Sequence, residues 1–139
     1  MYLFYRQISL RRDLHIGATP WDFKILTAQS LGEQAKLAEN LGYDSFWLPE
    51  NHFANNALPE PLMLLSSIAG VTKKIKLATT SYLLTLRNPL QAAEQVSVLD
   101  QISEGRVILG VGRGYASDTL RAFHVPPEEK RRIFAWSLE

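Results

Sequence analysis

Apolar and polar positions alternate between two periods along this chain, and the switches mark out the elements. Leu14 to Ala18 reads as a short first strand, closed by a Thr19-Pro20-Trp21 break. Ser30 and Glu33 have the spacing of a capping box, and Leu31, Ala35, Ala38 and Leu41 keep to one helical face until Gly42 ends it. Ser45-Phe46-Trp47-Leu48 follows as a second strand, and Pro49 to Glu60 is a polar loop. Pro61 suits the first turn of a second helix, in which Leu62, Leu65, Ile68 and Ala69 share a face as far as about Val71. Ile75 to Thr80 is the third strand, and a loop from Ser81 to Asn88 leads to Pro89 at the start of a third helix. Leu90, Ala93, Val96 and Leu99 recur along that helix.

The next segment combines a helix stop with a glycine-rich exit from a strand. Gly105 suits the left-handed conformation that stops a helix, and Arg106 to Val111 is the fourth strand, where Val107, Ile108, Leu109 and Val111 form an apolar run suited to cover on both faces. Gly110, Gly112 and Gly114 keep the backbone accessible around the one charge among them, Arg113. A last helix runs from near Pro127 to Glu139. Four alternations with short connections imply parallel strands joined by right-handed crossovers, hence an α/β fold. Two architectures fit: an open doubly wound sheet, or the first half of a (β/α)8 barrel, which needs about 200 residues or more. Both gather ligand sites at the carboxyl ends of strands.

Composition narrows the function classes. With 139 residues, 46% hydrophobic and 21% charged, the chain has enough material for one domain with a core. A net charge of +1 gives no bulk attraction to nucleic acid or to an acidic membrane. No apolar run approaches the roughly 20 residues that span a bilayer. The absence of cysteine excludes disulfides, thiolate metal sites and a cysteine nucleophile, and a cytoplasmic location is the default expectation. Residues 1–13, basic before Asp13, read as an N-terminal tail, and 14–139 as the domain.

Candidate chemistry collects at four places. Arg113 offers a planar fork of donors to phosphate or carboxylate oxygens; the dinucleotide motif G-x-G-x-x-G does not fit, because position 115 is Tyr115. Glu50, Asn51 and His52 follow directly on a strand, where a histidine with an ordinary pKa near ~6.5 exchanges protons around neutrality. The alternative is that Glu50 forms a structural ion pair and His52 caps a loop. Thr80 and Ser81 end the third strand with two hydroxyls outside any nucleophile elbow, so hydrogen bonding is their expected role. Trp21, Phe46, Trp47 and Phe53 either wall a flat ligand or belong to the core. No histidine or acidic spacing suggests a metal.

The order of whole segments carries a resemblance that no single spacing does. Ala35 to Phe53, Ile75 to Thr80 and Arg87-Asn88-Pro89, with the opening segment, strongly resemble the bacterial luciferase-like, flavin-dependent monooxygenase superfamily, from about Leu14 to the C-terminus. The resemblance implies the N-terminal half of a (β/α)8 barrel that binds reduced FMN, or in some branches F420, at the carboxyl ends of its strands. On residue matching, Arg113, between Gly112 and Gly114, falls where the family places a flavin-phosphate arginine, and Arg131 on a second arginine near that phosphate. Thr80 and Ser81 fall on the pair that backs the isoalloxazine, commonly through a non-proline cis peptide. Glu50, Asn51 and His52 fall on the Glu-His-His segment of the luciferases. Asn51 stands where they carry the histidine assigned to acid/base work, and an amide supplies no proton at neutral pH, so aldehyde-oxidising luminescence is not supported.

The implied activity is oxygenation of a small organic substrate by reduced flavin and O₂, the flavin coming from a separate reductase, with a homo-oligomer expected. Only about four strands are present, so the resemblance also implies weak or absent FMN binding by this polypeptide alone. Two further classes stay open: a non-catalytic flavin- or phosphate-binding half-barrel that assembles as an oligomer, and an inactive remnant.

Overall fold

The computed structural model describes residues 14–22 and 26–139; the expected tail, residues 1–13, lies outside them. Strands β1 (Gly17–Ala18), β2 (Ser45–Leu48), β3 (Lys76–Thr79) and β5 (Val107–Ile108) form one parallel sheet in the order β1-β2-β3-β5. Between them run α1 (Ala28–Asn40), α2 (Pro61–Ala69) and α3 (Pro89–Ser103). Past a break, strands three and four resume as β4 (Tyr82–Leu83) and β6 (Val111–Gly112), which pair in parallel. Two short helices follow, α4 (Ser117–Ala122) and α5 (Lys130–Trp136). No helix among the described residues is long and apolar enough to cross a membrane.

Local chemistry explains most boundaries. The capping box at α1 is Thr27 with Ser30, not Ser30 with Glu33: the Thr27 hydroxyl accepts from Ser30 N–H and the Ser30 hydroxyl from Thr27 N–H. A hydroxyl at N3 thus does the work expected of a glutamate. At α3, Asn88 caps the N-terminus by accepting from Leu90 and Gln91 N–H, with Pro89 in the first turn. The stop after α3 uses two left-handed residues, Glu104 at φ 58° and Gly105 at φ 77°.

The core lies between the sheet and α1 to α3. Phe46, Leu48 and Leu77 from the sheet meet Leu31, Ala35 and Ala38 of α1 and Leu62, Leu65 and Ile68 of α2. Two expected faces shift. Leu41 is the C-cap of α1 and 66% exposed, and on α3 the buried line is Ala92, Leu99 and Ser103 with Val96 partly covered, leaving Leu90 70% exposed. Strand four also departs from the expectation of cover on both faces. β5 is an edge of the sheet, with Ile108 and Leu109 exposed. The expected Ser81 to Asn88 loop contains β4 and a 3₁₀ turn over Leu84–Leu86, and α4 arises where no helix is expected.

Two polar devices tie down the amino ends of the strands. Arg106 is buried and makes no ion pair among the described residues; its guanidinium donates to the carbonyls of Ala69, Ile75 and Ser103 and to the Thr72 hydroxyl. Ala69 and Ser103 are the last residues of α2 and α3, so the cation sits at two helix C-termini, where the backbone dipoles favour it. Glu39, near the end of α1, accepts backbone N–H bonds from Lys73, Lys74 and Ile75 at 2.6 to 3.1 Å, fixing the entry into β3.

Partial burial works to raise the Glu39 pKa, but the three backbone donors and nearby Arg106 outweigh it and hold the carboxylate below its ordinary value of 4.5. Because the native state favours the ionised form, its stabilisation is complete above that ordinary value. It is lost as the pH falls through the lowered native value. Glu39→Gln is expected to cost on the order of 1 kcal/mol near neutrality, a small figure because water screens the site. Urea unfolding of both chains across the acid range checks this: the gap should close on acidification, and a pH-independent gap contradicts the assignment.

Candidate functional site

A cavity of about 480 Å³ opens at the carboxyl ends of strands two, three and four. Glu50, Asn51 and His52 follow β2, Thr80 and Ser81 lie between β3 and β4, and Gly112, Arg113 and Gly114 end strand four; all line it. The remaining side comes from Tyr115 and α4, through Thr119 and Leu120. A hollow of about 540 Å³ beside α3 is lined by mostly apolar side chains, with Asp100 its one charged group among the described residues. Polar groups from separate strands converge only in the former, which makes it the site candidate.

The walls depend on interruptions in two strands. The Thr80–Ser81 peptide is cis, as the resemblance implies. Opposite it, Gly110 takes the place of a ladder residue: its carbonyl accepts from the Thr79 hydroxyl at 2.9 Å and from Tyr82 N–H at 2.7 Å, and its N–H donates to Thr79 Oγ1 at 3.0 Å. A Cβ on Gly110 would lie 2.3 Å from Thr79 O, and one on Gly112 would lie 2.1 Å from Ser81 Oγ. Close approach of the Thr79 backbone therefore requires glycine at 110, and a side chain at 112 would have to displace Ser81. This adds a packing reason to the accessible backbone expected from the sequence.

Glu50 organises the floor. Its side chain is fully buried, and it takes hydrogen bonds from Arg87 Nη1 at 2.7 Å and Leu83 N–H at 2.8 Å, with His52 Nε2 at 2.8 Å. Arg87 also donates to Leu83 O, pairs with Glu60 at 3.3 Å and lies 4.2 Å from the Tyr82 ring centroid. Burial works against the Arg87 charge, but the hydrogen bond and charge of Glu50 override it and raise the pKa above the ordinary arginine value. Burial pushes the Tyr82 hydroxyl up, while Arg87 pulls the other way. The structural ion pair weighed for Glu50 is thus present with Arg87, and His52 makes a hydrogen bond to the same carboxylate. The His52 ring packs edge-on against Phe123 at 4.9 Å and tilted against Phe53 at 5.8 Å.

The other candidates divide. Asn51 lines the cavity, but its Oδ1 accepts from Leu58 N–H at 2.7 Å, so the amide braces the loop. Arg113 is exposed, and its guanidinium makes no ion pair among the described residues; its carbonyl is held by the Thr85 hydroxyl at 2.9 Å. Arg131 is not brought to the site: it lies exposed on α5, and the cavity wall does not include it. Trp21 is half-exposed near Leu37 and Tyr43, away from this cavity, and Phe46 is core. Trp47 donates to the Ser45 hydroxyl at 2.7 Å and stays on its own strand. Arg87 and Phe123 are the residues sequence reasoning missed. The Arg87 contact to Glu50 spans 37 positions, a distance no local pattern reports.

Known proteins share both sequence and architecture with this chain. Residues 9–138 match the model of the luciferase-like monooxygenase family. The alkanal monooxygenase beta chain of Photorhabdus laumondii is 33% identical over 103 residues, covering 73% of this chain and 32% of that one. The monooxygenase RslO1 of Streptomyces bottropensis superposes with a TM-score of 0.83 at 26% identity, over 90% of this chain and 41% of its own. The oxygenating constituent of 3,6-diketocamphane monooxygenase from Pseudomonas putida, solved in complex with FMN, superposes at 0.81 over 90% of this chain and 37% of its own; at 24% identity it bears on the fold alone. The chain spans about a third of the length of the curated relatives it matches. Its parallel strands and helices correspond to the N-terminal part of their (β/α)8 barrel. This chain belongs to the luciferase-like monooxygenase family.

Proposed function

We infer that this chain carries the phosphate-side wall and part of the reacting face of a flavin site, in a monooxygenase that oxygenates a small organic substrate with reduced FMN and O₂. The observation that carries this reading is the convergence of three strand ends on one cavity, with a cation there that no acidic side chain among the described residues neutralises. A volume of about 480 Å³ falls in the usual range for ligand sites, about 300–1,000 Å³. Bound reduced flavin supplies the electrons that activate O₂. The side chains bind and orient: Arg113 takes the phosphate, and Thr80, Ser81 and the bare backbone at Gly112 and Gly114 support the ring system. Glu50 holds His52 against the face where substrate would lie, and Asn51 keeps the loop between them in place. F420 would use the same phosphate contact. Its reductase and its substrate are separate partners.

A second reading, flavin or phosphate binding without catalysis in an oligomer, is favoured by the outer edges of β1 and β5, which pair with no other strand among the described residues. Both readings need the phosphate contact, and turnover with reduced flavin, O₂ and candidate substrates separates them.

Two variants test the site. Equilibrium dialysis of the 139-residue chain against FMN and riboflavin, at flavin concentrations up to about millimolar, should give weak binding with a preference for FMN. Arg113→Ala should reduce that preference by roughly 10-fold or more, the loss of one charge-assisted contact. Equal affinity for both flavins in the native chain would sink the phosphate assignment. Gly112→Ala should weaken both flavins alike, because the new methyl group displaces Ser81 and leaves Arg113 intact; a selective loss of FMN alone would point to a different geometry.

A further inference from the structure

Arg87 is left unused by the functional reading, yet it meets Glu50 along the same edge of β4, where both contact the Leu83 backbone. Each polar group around Glu50 acts on it in one direction. Arg87 Nη1 donates to Oε1 at 2.7 Å, and Leu83 N–H donates to Oε2 at 2.8 Å. A carboxylate offers acceptors only, so the His52 nitrogen at 2.8 Å, Nε2, must carry the hydrogen. A neutral imidazole has a single N–H, which leaves Nδ1 bare. That atom has no hydrogen-bond partner among the described residues and is not sealed away as an orphaned buried atom. His52 itself lines the cavity, with the Phe53 and Phe123 rings packed against it.

We propose that Arg87 is a positioning residue for His52: by compensating the buried Glu50 carboxylate it keeps Glu50 an acceptor, fixes the Nε2–H tautomer, and presents Nδ1 as a proton-accepting atom toward a ligand O–H or N–H. The proposal rests on the functional reading only for what that ligand is. Its reasoning is the cost of an uncompensated buried charge. Without Arg87, Glu50 takes up a proton or leaves its place. A protonated carboxyl donates to Nε2, the imidazole hydrogen moves to Nδ1, and the atom facing the ligand turns from acceptor to donor. Arg87 thereby sets the polarity of a group it does not touch. Lysine at this position is a poor substitute, since Arg87 Nη1 serves both Glu50 and Leu83 O while Nη2 reaches Glu60.

The tautomer is read directly from long-range proton–nitrogen spectra of the ¹⁵N-labelled 139-residue chain at about pH 8, above the ordinary histidine titration. The chain has three histidines, and His15→Gln and His124→Gln assign the other two. The expected result is a His52 with widely separated ring-nitrogen resonances and the proton on Nε2. In Arg87→Met, and more weakly in Arg87→Lys, those resonances should shift toward each other or exchange places, with the backbone amide spectrum otherwise kept. A native His52 protonated at Nδ1 overturns the proposal, as does an unchanged tautomer in a folded Arg87→Met. If Arg87→Met fails to fold, an unchanged tautomer in Arg87→Lys does the same. Loss of folding in both variants also overturns it, because Arg87 is then a residue of the fold and not of the site. The measurement needs no flavin, so an Nε2–H His52 in a chain with no preference for FMN would leave this proposal standing and remove the flavin assignment.

Discussion

A carboxylate with no contact with water sets the terms for everything around it. Glu50 is placed there because β2 ends at Leu48 and the chain must leave the sheet at a point where strand three is also broken. The charge is tolerable only with donors on every open side. Arg87, Leu83 N–H and His52 supply them, from three separate positions of the chain. Burying a charge is unfavourable unless it is paired and its lone pairs are filled, so these groups must arrive together or not at all. The same constraint that makes the site rigid holds β4 in register, because Leu83 donates through its N–H and accepts from Arg87 through its carbonyl.

The opposite end of the sheet solves a different problem with the opposite charge. Helix C-termini leave carbonyls without partners. Arg106 serves the ends of α2 and α3 at once, and the Glu39 carboxylate does the complementary task for the amides entering β3. One end of the molecule is thus fixed by ions meeting backbone dipoles, and the other by an ion pair in which a cavity has been left open. Rigid support at the amino ends allows the carboxyl ends to carry irregular backbone, where Gly110 replaces a ladder residue and Gly112 admits Ser81.

What the sequence revealed followed from periodicity, and what it concealed followed from tertiary competition. The second strand, Ser45 to Leu48, lies where the pattern puts it, and the buried stripe of α2 is Leu62, Leu65, Ile68 and Ala69 as expected, because both are short and strongly apolar. The stripe of α3 shifted to Ala92, Val96 and Leu99 since Leu90 and Ala93 fit the same period and only packing decides between adjacent faces. The break in strand four was hidden because Gly110 reads as ordinary turn glycine until Thr79 is seen against it. Cavity residues adjacent in sequence were legible as a group. Arg87 was visible only two residues before a helix-starting proline, and Arg131, matched by resemblance to an arginine near the phosphate, lies on a helix that does not line the cavity.

The Glu50, Asn51 and His52 segment shows why adjacency alone misjudges such a trio. In extended chain, successive side chains point to opposite sides and those two apart share a side. Glu50 and His52 accordingly meet at 2.8 Å, while Asn51 turns to Leu58 and closes its own loop. A histidine at position 51 would then lack the Glu50 partner that polarises position 52. The departure from the luciferase pattern at Asn51 therefore removes one titratable group from the cavity wall and leaves the Glu50 to His52 contact untouched. Among the described residues the wall then carries one imidazole, whose orientation depends on residues more than 30 positions away.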